Sequence, residues 1–130
     1  MIARLGELER KVMEVLWTDF GVPVTVRHVE DRLPGYAYTT LLTVLTRLHR
    51  KGMVRRTKEG RAFRYSAVTS REEYTAELMR DALGAATDRR AVLVRFAETV
   101  SPAEAAVLRG VLSGLDAPDT DTRAGPLDAR

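Results

Sequence analysis

Glycine and proline cut the first 69 residues into pieces too short for most architectures. Breaks fall at Gly21-Val22-Pro23, at Pro34-Gly35, at Gly52 and at Gly60, residue types that stop helices or open turns. Ahead of the first break, residues 5–18 place Leu5, Leu8, Val12, Val15 and Leu16 on one helical stripe. Trp17 and Phe20 close this segment, and Trp17 is expected to anchor packing. Thr25 then precedes Val26, Val29 and Leu33, the pattern of an N-cap and a short amphipathic helix. Arg27 and His28 fall on its polar side, where His28 is expected to be simply exposed, since no second metal ligand lies near it.

Residues 38–51 make a third helix. At about 100° per residue, Leu41, Val44, Leu45 and Leu48 share one arc, while Thr39, Thr40, Thr43, Thr46, Arg47 and Arg50 share the other. Threonine is a middling helix former, so helix stability does not explain this arc. Small hydroxyls allow close approach to a surface, and arginines beside them supply reach and charge. That is the composition of a helix laid against double-stranded DNA. Gly52 suits a left-handed C-terminal cap. Two β-prone runs follow, 53–57 and 61–68, with Lys58-Glu59-Gly60 as the expected hairpin loop. The two-residue period turns Phe63 and Tyr65 to one face and Arg64 to the other. Helix, helix, helix, hairpin is the order of a winged helix-turn-helix, a mainly α fold with a small β-hairpin.

Charge sharpens this reading. The net +3 of the 130 residues conceals two unlike halves. Residues 1–69 hold 13 Lys and Arg against 7 Asp and Glu, whereas residues 70–130 hold 8 against 11. Within 47–64, Arg47, Arg50, Lys51, Arg55, Arg56, Lys58, Arg61 and Arg64 face the single acid Glu59. So dense a cluster suits a polyanion. Charge alone also admits a protein-docking module with an acidic partner. The chain has no cysteine, which removes disulfides, thiolate metal sites and cysteine nucleophiles together. No nucleophile–base set or paired carboxylates argue for an enzyme, and no cofactor or metal is expected. Without a run of about 18 apolar residues, a soluble cytoplasmic protein is expected, with no stable membrane association.

The second half changes character. Ser70 with Glu73 and Ser101 with Glu104 read as capping boxes, and Asp88 as a further cap. Tyr74, Leu78, Met79 and Ala82, then Val92, Leu93, Phe96, Ala97 and Val100, then Ala105, Leu108, Leu112 and Leu115 supply apolar stripes. Three short helices bury little surface alone. A two-fold dimer through Tyr74, Leu78, Leu93, Phe96, Leu108 and Leu112 is expected; packing back onto the N-terminal half as a monomer is the alternative. The expected organisation is a DNA-binding domain over 1–69, a helical dimerisation region over 70–115 and a disordered tail over 116–130.

The stretch Ala37-Tyr38-Thr39-Thr40, Thr43-Val44-Leu45-Thr46-Arg47-Leu48 and Lys51-Gly52, followed by Arg61-Ala62-Phe63-Arg64-Tyr65, resembles the penicillinase repressor family, which includes the methicillin-resistance repressors. Leu5-Gly6-Glu7-Leu8-Glu9 and Leu16-Trp17 resemble its first helix, and the similarity spans roughly residues 4–115. The resemblance implies a homodimeric repressor on dyad operators of β-lactamase-type genes. It places Thr39, Thr40, Thr43 and Arg47 in the major groove, with Lys58 and Arg61 on the wing; Arg50 and Lys51 complete the basic set. It further implies a membrane-bound sensor peptidase that triggers cleavage within the dimerisation helices. The cut falls at an Asn-Phe step in familiar members, and the matching step here is Arg95-Phe96. The copper-sensing branch carries a C-terminal cysteine cluster, which this chain lacks. A small ligand near Tyr74 or Phe96 is the alternative inducer.

Overall fold

The computed structural model describes residues 4–116. Six helices and one hairpin follow in the order α1 (Glu7–Thr18), α2 (Val26–Arg32), α3 (Tyr38–Arg50), β1 (Val54–Glu59), β2 (Ala62–Ala67), α4 (Arg71–Gly84), α5 (Arg89–Ala97) and α6 (Pro102–Asp116). They fall into two compact units divided after Ala85. The expected tail lies outside the described residues except for its first, Asp116, the last residue of α6.

In the first unit the sequence breaks act as the turn chemistry requires. Gly21, Gly35, Gly52 and Gly60 all hold positive φ, a region open to glycine and strained for other residues. Thr25 Oγ1 accepts from the His28 amide at 3.1 Å, closing the start of α2. The apolar stripes of α1, α2 and α3 meet in one core: Val12, Met13, Leu16, Val29, Leu41, Leu45 and Leu48 are fully buried. The hairpin is antiparallel, with Val54 opposite Ala67 and Glu59 opposite Ala62. Tyr65 joins it to the helices. Its backbone exchanges hydrogen bonds of 2.8 and 2.7 Å with Val24, while its side chain is 0% exposed in the core. The order and packing are those of a winged helix-turn-helix.

Three details depart from the sequence expectation. Lys58 and Glu59 belong to β1, and the loop is the two-residue Gly60–Arg61, which sets Arg61 at the tip. His28 is half-buried, its Nε2 3.4 Å from Asp19 Oδ2, because the chain before α2 folds back beside it.

The third concerns α4, which packs in the first unit. Ser70 Oγ accepts from Glu73 N and Glu73 Oε1 accepts from Ser70 N, so the capping box forms. Tyr74 is 2% exposed, its ring 5.4 Å from that of Trp17. Trp17 Nε1 donates to Thr69 O at 3.0 Å, and Arg71 grips Glu14 at 2.6 Å. Leu78 packs against the same core. The compact unit therefore ends sixteen residues beyond the boundary expected at 69. Tyr74, expected on a dimer face, is interior to this unit, and Leu78 is half-buried against its core.

The second unit contrasts with this. Asp88 Oδ1 accepts from Ala91 N at 3.1 Å, and the Ser101–Glu104 capping box forms at 2.9 and 3.1 Å. The helices are well started, yet α5 buries no residue. Leu93, Phe96, Leu108 and Leu112 are all exposed, with Phe96 at 44% and Leu112 at 56%.

Candidate nucleic-acid interface

The outward face of α3 follows from the inward one. With Leu41, Val44, Leu45 and Leu48 buried, Thr39, Thr40, Thr43, Arg47 and Arg50 are exposed and Thr46 half-buried. The hydroxyls differ in what they can still do. Thr43 Oγ1 donates to Thr39 O and Thr46 Oγ1 to Leu42 O, both at 2.9 Å. Their protons are spent on the helix itself, leaving a methyl group and an acceptor facing out. Thr39 and Thr40 lie in the first turn, where no carbonyl four residues back belongs to the helix. Their hydroxyls keep a proton to give.

The basic cluster separates into two sets. Lys51 Nζ donates to both carboxylate oxygens of Glu9 at 2.9 Å, and Glu9 is buried. Burial pushes the Glu9 carboxyl up, but the Gly6 amide at 2.8 Å and the Lys51 ammonium outweigh it and hold the carboxyl below its ordinary value, with a weaker pull from Arg47. Arg64 pairs with Glu59, and the Arg56 guanidinium stacks 4.3 Å from the centroid of Phe63. These three cations each have a partner within the chain. Arg47, Arg50, Arg55, Lys58 and Arg61 form no ion pair among the described residues and remain available to a polyanion. Lys51 was expected among the DNA-contacting residues; the structure engages it with α1, across 42 residues of sequence.

One flank of α3 adjoins the wing. Tyr38 and Leu42 line a groove of about 500 Å³ together with Thr25 at the N-cap of α2, Arg27 of α2, and Arg61 and Phe63 of the hairpin. Arg27 lies outside the sequence cluster, and only its place on the polar side of α2 hinted at it. The exposed α3 face thus runs from the wing flank to the flank held by Lys51 and Glu9.

The groups assigned to the second unit are placed separately. Arg95 and Phe96 both lie exposed in the last turn and a half of α5. Among the described residues, no helix is long and apolar enough to cross a membrane.

The penicillinase repressor family model matches residues 5–114. Transcriptional regulator BlaI of Mycobacterium tuberculosis is 46% identical over 122 residues, covering 89% of this chain and 88% of the relative. Among solved structures, the DNA-binding domain of the repressor BlaI is similar with a TM-score of 0.48 and 27% identity, over 57% of this chain and 92% of that one. The Bacillus licheniformis BlaI monomer in complex with the blaP half-operator gives a TM-score of 0.45 and 27% identity, over the same shares.

Proposed function

Because this chain belongs to the penicillinase repressor family, we propose that it is a homodimeric repressor occupying dyad operators in double-stranded DNA, those of β-lactamase or related resistance genes. The observation that carries this reading is the exposed α3 face, which presents Thr39, Thr40, Arg47 and Arg50 with none of these arginines ion-paired among the described residues. Set in a major groove, Thr39 and Thr40 donate to base edges or phosphates, Thr43 offers its methyl group to thymine, and Arg47 reaches guanine. Lys58 and Arg61 on the wing take backbone phosphates. An operator so occupied is closed to RNA polymerase.

The two protomers join through the apolar faces of α5 and α6, and the join fixes the two α3 helices at a helical-turn spacing. Release follows cleavage at Arg95-Phe96, triggered by a membrane sensor peptidase. A protease needs an extended segment, and α5 is a short helix of nine residues, so opening it around Arg95-Phe96 also gives up the contact that α5 makes with the second protomer. Separated protomers lose the effective concentration that linkage gave them, and each half-site alone binds weakly. This reading places the repressor in the cytoplasm, beside its DNA.

Selection of bound genomic fragments tests the reading, and the absence of any retarded fragment at low salt would overturn it. On the selected site, Arg47→Ala is expected to lose about 1–3 kcal/mol of discrimination against altered base pairs. Lys58→Ala should weaken selected and unrelated duplexes equally. Equal weakening of both duplexes by Arg47→Ala would remove Arg47 from base reading.

A further inference from the structure

The groove on the wing flank of α3 is not explained by the face that reads bases. It draws Arg27 from α2 and Arg61 from the wing tip, over apolar surface from Tyr38, Leu42 and Phe63. No acid lines it, and neither arginine has an ion-pair partner among the described residues. Two cations sharing a groove with no carboxylate repel each other, and an anion between them removes that cost. Tyr38 is 42% exposed, so its ring offers a flat apolar wall at the start of α3.

We infer, resting on the DNA-binding reading above, that this groove holds one phosphodiester strand of the duplex, with Arg27 and Arg61 on its phosphates and Tyr38 against its deoxyribose. A DNA strand combines anionic phosphate with apolar sugar, and the groove offers both guanidinium groups and aromatic rings. Tyr38 and Leu42 lie on the same helix as Thr39 and Thr43, so a backbone bordering the major groove read by α3 runs into it. Arg27 becomes a positioning residue that fixes how deeply α3 sits, though it lies far in sequence from the basic cluster. The occupant is polymeric phosphodiester rather than a free anion, because the groove is continuous with the base-reading face.

Phosphate contacts register in the salt dependence of binding, with a slope near 0.9 per contact on duplex DNA. Affinity is measured against salt concentration on a mixed-sequence duplex of about three helical turns, for the full chain and for Arg27→Ala, Arg61→Ala, the double variant and Arg27→Lys. Each alanine is expected to lower the slope by about one, and the double variant by about two. Arg27→Lys retains the slope. An Arg27→Ala slope equal to that of the unsubstituted chain overturns the inference while leaving DNA binding intact. No binding by the unsubstituted chain instead overturns the parent reading. Replacing chloride with inorganic phosphate at fixed ionic strength should leave the affinity unchanged. Weakening that disappears in Arg27→Ala would make the groove a small-anion site and overturn the strand assignment.

Discussion

The two units of this chain start their helices equally well and finish them differently. In the first, the stripes of α1, α2 and α3 meet one another, and Tyr65, Trp17 and Tyr74 tie hairpin, α1 and α4 into one interior. In the second, capped helices carry Val92, Leu93, Phe96, Val107, Leu108, Val111, Leu112 and Leu115 on exposed surface. Local signals decide whether a helix begins; partners decide whether its apolar face is satisfied. An exposed apolar surface on this scale marks an interaction site, and in a chain read as a dimer the partner is a second copy.

Substitutions in the two units should therefore fail in different assays. The largest effect is expected at Leu45, fully buried, where Leu45→Ala should cost about 2–5 kcal/mol in urea unfolding. The double variant Phe96→Ala, Leu112→Ala should weaken self-association by roughly 2–4 kcal/mol in sedimentation, while amide exchange in α1 and α3 stays as it was. Parallel loss of protection in those helices would erase the distinction between the units. The smallest is at the Lys51–Glu9 pair, where Lys51→Ala should cost about 1–3 kcal/mol by leaving a buried carboxylate without its cation. Its pH dependence is fixed in sign. The folded chain holds the Glu9 carboxyl below the ordinary 4.5, so the stabilisation is complete above that value and is lost as pH falls through the lowered folded-state pKa. The gap between Lys51→Ala and the parent should narrow in acid. A gap that stays constant down to low pH would mean the lysine acts only through packing.

These contrasts also mark what could be read from residues alone. The α3 helix was legible because its apolar positions, its threonines and Gly52 all agree on one geometry. The caps at Thr25, Ser70, Asp88 and Ser101 were legible because each needs only residues three apart. Lys51 was not: its partner Glu9 lies on another helix, and a cation in a basic run carries no mark of the acid that will claim it. The burial of Tyr74 within the first unit was not legible for a related reason. A stripe of helical period says that a face is buried but not against what, and Trp17 with Thr69 draws α4 into the first unit. The hairpin loop was set one or two residues early because Lys58 and Glu59 are poor strand formers by composition, yet β-pairing with Phe63 and Ala62 holds them in register. Arg27 escaped because the groove it shares with Arg61 exists only once α2 and the wing are brought together.

The seam between α1 and α4 has a further, optical, consequence. Trp17 is the chain's single tryptophan, its indole N–H is tied to Thr69, and Tyr74 lies 5.4 Å away as an energy donor. Its emission reports one place, the point where the DNA-reading unit takes hold of α4. Any event that pulls α4 off α1 will shift that emission to the red, without a label and without touching the face that meets DNA.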